Sequence, residues 1–230
     1  LYIWRGPIAH LIPRSPDFES WGDSSLFAGG GFSLNLGFWW YIHWPDSIRV
    51  KTLKYFVINK LDPSTGDMIS INLLEYAVII INFAAATLAI STMPSLLSRG
   101  NPFPTLLNWA DNMSANSWTR KSSTASYAGR CLSRLLCSLC LNNPLGLNAD
   151  FIAGIDNIIA DMISRLHPIA GTDPNFSTLF QAFPSLTACR RFHPSPELLS
   201  RLMQALLSEA APAIPPPKTL GHFTPGNNTI

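Results

Sequence analysis

The feature of the sequence that most constrains its fold is an apolar segment at residues 69–90, in which Glu75 is the single charged residue. The segment is long enough to cross a membrane, for which ~20 apolar residues suffice. An acid near the middle of such a helix costs ~2.5–3.5 kcal/mol, an amount that the Ile and Leu content could offset. A membrane anchor at residues 69–90 is therefore one interpretation.

A buried helix is the interpretation that we favour for the same segment. It has no basic flank on either side, and it contains the polar residues Asn72 and Asn82. A helix that packs between a sheet and other helices is also apolar nearly all round. We therefore expect a core helix, with Glu75 one turn inside its start.

Composition supports a protein with a sizeable core. Hydrophobic residues make up 47% of the 230 residues and charged residues 13%, which argues against general disorder and allows one domain or at most two. The net charge of +2 predicts neither strong nucleic-acid affinity nor a membrane-surface protein, so a polyanion would have to be held by a local patch. The chain begins at Leu1 with no targeting signal, which suggests a fragment of a longer, intracellular polyprotein in the cytoplasm or nucleus.

The cysteines and histidines predict neither a disulfide framework nor a zinc site. Four cysteines are too few and too clustered for a framework. Cys137 and Cys140 have the spacing of a zinc or redox pair, but they lie in an apolar helical pattern with no second pair downstream. We expect buried free thiols, which suit a reducing compartment. The five histidines are scattered singly.

The first part of the chain predicts an antiparallel meander. Residues 1–17 are a proline-containing, irregular lead-in, and residues 18–44 contain three predicted strands, the first carrying Asp23. Glycines at residues 29–31 precede the second strand. A phosphate-binding glycine loop would need a helix directly after it, and none follows. We therefore expect a hairpin that another backbone approaches closely.

The middle of the chain predicts an α/β arrangement. Residues 106–112 form an apolar run that ends in Asp111 and Asn112, which is typical of a buried strand followed by a helix. Ligands and catalytic groups gather outside the carboxyl ends of such strands. A helix is predicted at residues 127–141, then a strand at 147–153, and then an amphipathic helix that carries Asp161 near its start.

Isolated acids on four separate elements suggest a metal site. Carboxylates that converge on a sheet suit two divalent ions ~3.5–4 Å apart, and Mg²⁺ prefers such oxygen ligands. Each acid also has a simpler explanation, as a turn residue, a helix-start charge, a cap or an exposed helix residue. The candidates are Asp23, Glu75, Asp111 and Asp161. We expect Asp150 and Asp156 to lie outside the site, the latter as a helix cap.

The sequence around these acids resembles the ribonuclease H domain of retroelement (retrotransposon) reverse transcriptases. The matching motifs are, in order, Asp-Ser-Ser-x-x-Ala-Gly-Gly, Leu-Glu-Tyr, Trp-Ala-Asp-Asn and Phe-Ile-Ala-Gly-x-Asp-Asn-x-x-Ala-Asp-x-Ile-Ser-Arg. The resemblance covers residues 18–166, and the last motif is its most specific part. It implies a ribonuclease H-like α/β fold over residues 18–167, with a mixed five-stranded sheet flanked by helices. A proline-rich tether with one short helix is expected over residues 168–230, dispensable for folding.

The resemblance also implies a function. The four acids would bind two Mg²⁺ (or Mn²⁺) ions and catalyse cleavage of the RNA strand of an RNA–DNA hybrid. A polymerase would lie upstream in the same polyprotein and an integrase or recombinase downstream, without a membrane partner. The predicted contacts to the nucleic-acid backbone, each equally explained as a solvated helix residue, are Asn112, Arg120, Lys121, Arg130 and Arg134.

The sequence leaves alternatives to this function open. Residues 153–156, in the loop before the last motif helix, lack the histidine of the cellular enzymes, although retroelement members often lack it too. The chain could be a catalytically inactive scaffold or hybrid-binding module that keeps the fold, as in a genomic relic. The membrane-anchored protein is the second alternative.

Overall fold

The computed structural model describes residues 15–58, 68–93, 104–122, 124–168, 174–207 and 217–225. Residues 1–14 of the predicted lead-in, which spans residues 1–17, therefore lie outside the described residues. The strands are β1 (Phe18–Ser24), β2 (Ala28–Ser33), β3 (Phe38–His43), β4 (Thr105–Ala110), β5 (Gly146–Phe151), β6 (Arg190–Pro194) and β7 (Gly221–Thr224). The helices are α1 (Asp46–Ile58), α2 (Ile71–Thr92), α3 (Met113–Lys121), α4 (Tyr127–Asn142), α5 (Ile158–Ser164), α6 (Ser177–Ala182) and α7 (Pro196–Leu206).

The strands form one mixed sheet in the order β5-β4-β1-β2-β3-β6-β7. Strands β1, β2 and β3 are the predicted antiparallel meander, and β4 and β5 lie parallel to β1 on one side of it. On the other side, β6 pairs parallel with β3, and β7 pairs antiparallel with β6. The α/β prediction is confirmed, but the sheet has seven strands instead of five, because two strands from the predicted tether extend it.

Helix α2 is the core helix that the apolar segment predicts. It packs on β1, β2 and β4 with one side, and on α3, α4 and α7 with the other. By length and composition it could cross a membrane, but 94% of its most apolar stretch is buried inside the protein. Its all-round apolar surface therefore matches neighbours on all sides, as the buried-helix interpretation requires.

The opposite face of the sheet carries a second, smaller core with α5 and α6. The side chains of β3 alternate between the two faces, as expected for a strand. Phe38, Trp40 and Ile42 belong to the α2 core, whereas Trp39 and Tyr41 belong to the core with α5 and α6. Both faces of the meander are thus covered by helices.

The glycines at residues 29–31 allow helices to approach both faces of β2. A Cβ atom on Gly30 would lie 2.3 Å from Ile163 Cγ2 in α5, and one on Gly31 would lie 2.4 Å from Asn82 Oδ1 in α2. The glycines lie within the strand and not in the predicted hairpin turn, and the atom nearest to each added Cβ belongs to a side chain instead of another backbone. A larger residue at either position would force these neighbours to move.

A buried hydrogen-bond network fixes α2 along the sheet. Asn82 Oδ1 accepts from Trp40 Nε1 at 2.7 Å, and Asn82 Nδ2 donates to Asn108 Oδ1 at 2.7 Å and to the Trp21 carbonyl oxygen at 3.1 Å. One side chain therefore binds β3, β4 and β1 together. Since buried polar groups are costly when unpaired, this network specifies a single position for the helix.

Helix α7 packs against α4 and α2, contrary to the expectation of a dispensable tether. Its start has favourable capping chemistry, with Ser195 Oγ accepting from Leu198 N at 3.0 Å and Pro196 in the first turn. Its buried residues are Leu198, Leu202, Ala205 and Leu206. Because these side chains complete the main core, the boundary of the folded unit lies beyond residue 167. The four cysteines are free, but of the expected buried thiols only Cys131 and Cys189 are buried, whereas Cys137 and Cys140 are partly exposed.

We predict that removing the segment after His167 abolishes cooperative thermal unfolding, since it uncovers α4 and the edge of β3. As a milder test, Leu202→Ala should lower the free energy of unfolding by about 2–5 kcal/mol, the cost of a core cavity. Gln204→Ala, at an exposed position of the same helix, should change it by less than about 0.5 kcal/mol. Chemical denaturation followed by circular dichroism measures both, and equal effects of the two variants would contradict the packing of α7.

Candidate metal centre

Three of the predicted acids converge on one point. Asp23 lies near the carboxyl end of β1, Asp111 follows β4, and Glu75 lies at the start of the second turn of α2. Strands β1 and β4 are parallel neighbours, so their carboxyl ends meet at one edge of the sheet, and α2 crosses this edge. One carboxylate oxygen from each acid lies within 4.8 Å of the other two. We call these three residues the carboxylate cluster.

The carboxylate of Glu75 is the most deeply buried group of the cluster. Its side chain is 3% exposed. Oε1 accepts a hydrogen bond from the backbone N–H of Ser24 at 3.0 Å, whereas Oε2 is buried without a hydrogen-bond partner. Leaving a buried carboxylate oxygen unpaired is costly, and a cation bound between the three acids would remove that cost. The oxygen-only donor set also fits a hard divalent cation such as Mg²⁺.

Burial and mutual repulsion make the cluster resist ionisation. Burial, opposed by a hydrogen bond from the Ser164 hydroxyl and reinforced by the charges of Asp111 and Asp161, raises the pKa of Asp23 to about 6. Complete burial, followed by the charges of Asp23 and Asp111, raises the pKa of Glu75 well above its usual range. The pKa of Asp111 is raised in the same way, by burial and then by the charge of Asp161. A cation would relieve this repulsion.

Asp161 lies beside the carboxylate cluster but outside it. Its Oδ1 accepts a hydrogen bond from Arg165 Nε at 2.6 Å, and its side chain is 39% exposed. Its negative charge nevertheless raises the pKa of all three clustered acids, so it is close enough to act on them. The structure therefore brings together three of the four predicted acids and places the fourth on the rim, paired with an arginine.

The loop before α5 covers one side of the cluster. A Cβ atom on Gly154 would lie 3.0 Å from Asp111 Oδ2. Asp156 is exposed in the short 3-10 turn that follows, and it is not the helix cap that the sequence predicts, because Asn157 is the N-cap residue of α5. Asp150 is exposed on β5, within 3.7 Å of Arg120. Neither belongs to the cluster of described acids, in line with their sequence-based exclusion.

Of the predicted backbone contacts, Asn112 alone is adjacent in sequence to a clustered acid. It caps α3, with Oδ1 accepting from Ala115 N at 3.0 Å, while its Nδ2 donates to Asn72 Oδ1 at 2.8 Å. Four further candidates, the basic residues, are exposed on α3 and α4, and they are Arg120, Lys121, Arg130 and Arg134. Arg120 pairs with Asp150, and Arg130 Nη1 donates to the Ala125 carbonyl oxygen at 2.6 Å.

Three residues that contact the acids were not among the predicted site residues. They are Ser24, whose N–H binds Glu75, Ser164, whose hydroxyl binds Asp23, and Arg165, which binds Asp161. The sequence held one signal for two of them, since Ser164 and Arg165 close the motif that contains Asp161. Their partners could not be read from that motif, because Ser164 and Asp23 are 141 residues apart.

No protein-family model, curated protein or solved structure matches this chain. The geometry of the carboxylate cluster and the sequence motifs around it are therefore the basis for a functional assignment.

We predict that the metal-free protein becomes less stable as pH rises from about 4 to about 6, between the ordinary pKa of Asp and that of folded Asp23. In this range the folded state binds more protons than the unfolded state, so the free energy of unfolding falls, by ~3 kcal/mol for a shift of this size. The raised pKa of Glu75 extends the fall to higher pH. Denaturation in EDTA across this range measures the slope.

The variant Asp23→Asn should lack the contribution of Asp23 to the fall in the free energy of unfolding with pH. In the unmodified chain, Mn²⁺ should restore stability at neutral pH. Asp156→Asn is the matched control, because this acid is exposed, and it should leave the slope unchanged. If Asp23→Asn shows the same dependence of stability on pH as the unmodified chain, Asp23 is not the group that causes this dependence.

Proposed function

We propose that this chain is a metal-dependent endoribonuclease with a ribonuclease H-like fold, which cleaves the RNA strand of RNA–DNA hybrids within a retroelement reverse transcriptase polyprotein. The observation that carries the proposal is the carboxylate cluster, in which a buried Glu75 oxygen has no hydrogen-bond partner. A purely structural core has no reason to place two buried acids and a half-buried third where they repel one another. A site that holds divalent cations does.

The arrangement of the elements supports the same proposal. Along the chain, the acids follow the order that the resemblance to retroelement ribonuclease H domains implies: Asp23 on the first strand, Glu75 on α2, Asp111 directly after the fourth strand and Asp161 on the helix of the closing motif. The sequence predicts the helix of Glu75 as the first helix, whereas α1 precedes it. The five expected strands form one contiguous part of the sheet. Strands β6 and β7 are then additions at one edge, remote in the strand order from β4 and β5.

The residues at the site would have two roles, to bind the metal ions and to orient the carboxylates that bind them. Asp23, Glu75 and Asp111 would hold Mg²⁺ or Mn²⁺, with Asp161 as a further ligand. Two such ions supply an activated water and stabilise the leaving oxygen in phosphodiester hydrolysis. Ser24 and Ser164 orient the two buried carboxylates through hydrogen bonds. Asp111 is only half-buried, so the substrate would approach from its side.

In the proposed reaction, the oxygen of water bonds to phosphorus and the bond from phosphorus to the 3′ oxygen breaks. The products are a 3′-hydroxyl and a 5′-phosphate. Asn112 stands next to the site, and the exposed Arg120, Lys121, Arg130 and Arg134 would contact phosphates without reading the base sequence. We further propose that a polymerase lies upstream, that an integrase or recombinase lies downstream, and that the protein acts inside the cell.

A hybrid-binding scaffold without activity is the second candidate. The observation that favours it is the ion pair between Asp161 and Arg165, which keeps the fourth acid out of the cluster. Such a protein would bind the hybrid through the same basic residues but would not turn it over.

We predict that the purified chain cleaves the RNA strand of a labelled RNA–DNA hybrid in Mg²⁺ and that EDTA stops cleavage. Glu75→Gln and Asp111→Asn should each lower the rate at least about 100-fold, since even partners that only support metal ligands are worth 10–100-fold. Thermal melts should show that both variants remain folded.

Asp156→Asn is the control: because this acid is exposed, the variant should cleave normally and change the free energy of unfolding by less than about 0.5 kcal/mol. Double-stranded RNA and double-stranded DNA of the same sequence should remain intact. Hybrid binding without cleavage by the unmodified chain would favour the scaffold, and unchanged cleavage in Asp111→Asn would reject this residue as a ligand.

A further inference from the structure

Helix α5 is fixed to the sheet at both ends. At its start, Asn157 Nδ2 donates to the Gly22 carbonyl oxygen at 3.0 Å. At its end, the Ser164 carbonyl oxygen accepts from Ser25 Oγ at 2.6 Å. Between them, Ile163 packs on Gly30, where a Cβ atom would leave no room. The backbone of Asp161 is therefore held in place, and only rotation of its side chain decides where its carboxylate lies.

Two adjacent residues at the end of α5 hold two different carboxylates. Ser164 is fully buried, and its hydroxyl donates to Asp23 Oδ2. Arg165 is exposed, and its Nε donates to Asp161 Oδ1 at 2.6 Å, one helical turn earlier on the outer side. The inner residue thus fixes an acid of the carboxylate cluster, and the outer residue holds an acid away from it.

Charge explains why Asp161 prefers the arginine. The three clustered carboxylates lie within 4.8 Å of one another, so a fourth carboxylate would add repulsion between like charges. One divalent ion does not neutralise three ionised carboxylates, whereas two ions more than neutralise them. The electrostatic attraction of the site for the Asp161 carboxylate therefore becomes strong only when a second cation binds.

We propose that Arg165 is a positioning residue that reserves Asp161 for a second cation. Asp23, Glu75 and Asp111 bind the first ion, and Asp161 leaves Arg165 to bind the second. The two ions then bind with different affinities, and the ion pair on α5 weakens the second one. This inference rests on the proposed function only in taking the site to hold two divalent ions, and it makes no use of nucleic acid.

Mn²⁺ titration of the purified chain, with free Mn²⁺ measured by electron paramagnetic resonance, tests the proposal without any activity assay. The unmodified chain should show one tight and one weak class of site. Asp161→Asn should lose the weak class and keep the tight one. Arg165→Gln should strengthen the weak class about two-fold or more, the worth of an exposed ion pair at this helical spacing. It should change the tight class less, because the hydrogen bond of Arg165 is to Asp161.

Arg201→Gln is the matched control. Arg201 pairs with Glu197 four residues earlier on α7, as Arg165 pairs with Asp161 on α5, but it does not contact the acids of the site. It should leave both classes of site unchanged, which would show that the effect of Arg165→Gln comes from an arginine beside the site and not from one positive charge fewer on the chain. Melts without metal should show that all variants are folded.

The outcomes separate this inference from the proposed function. A single class of site in the unmodified chain, or weaker or unchanged second binding in Arg165→Gln, would overturn the role of Arg165 even if the chain cleaves hybrids. Two classes with the predicted shifts but no hybrid cleavage would leave the inference standing and reject the endoribonuclease. Absence of Mn²⁺ binding would overturn both.

Discussion

The packing of α2 against the glycine-containing meander is the contact on which the rest of the structure depends. Asn82 binds three strands at once, and Gly22 and Gly31 leave room for it and for Val78. Glu75 lies about two helical turns before Asn82, on the same side of the helix. Its carboxylate therefore reaches Ser24 and the carboxylate cluster because the asparagine fixes the helix along the sheet.

The cluster itself opposes folding, and the surrounding structure compensates for it. Burial of Asp23 and Glu75 and partial burial of Asp111 raise the pKa values of the three acids, and one Glu75 oxygen is left without a hydrogen bond. The two cores on the faces of the sheet supply the stability that this requires, because each is built from large, fully buried side chains. A local loss of folding stability, in a structure whose other parts are consistent with the sequence, is typical of a functional site.

The C-terminal part of the chain adds to the sheet and to the main core. Strand β6 pairs with β3 through Phe38 and Trp39, and α7 buries its leucines beside α4. The sequence of β6 does not predict a strand, because four of its five residues are two arginines, a histidine and a proline, which lack the apolar alternation of a strand. Phe192 is its one buried residue, and Arg190 and Arg191 pack their guanidinium groups on aromatic rings. Such a strand forms because an existing sheet edge offers it partners.

The sequence by itself determined the α/β class, the core helix with its buried Glu75, the meander and the strand that ends at Asp111. These follow from periodicity and from isolated charges in apolar runs, which are local properties of the chain. It also pointed to the acids, and three of the four meet as predicted. The position of Asp161, the hydrogen bond from Ser164 to Asp23 and the two added strands were decided by the tertiary structure alone. The physical reason is that a carboxylate rotates to the nearest hydrogen-bond donor and an added strand pairs with an unpaired sheet edge. The donor and the sheet edge are both supplied by residues distant in sequence.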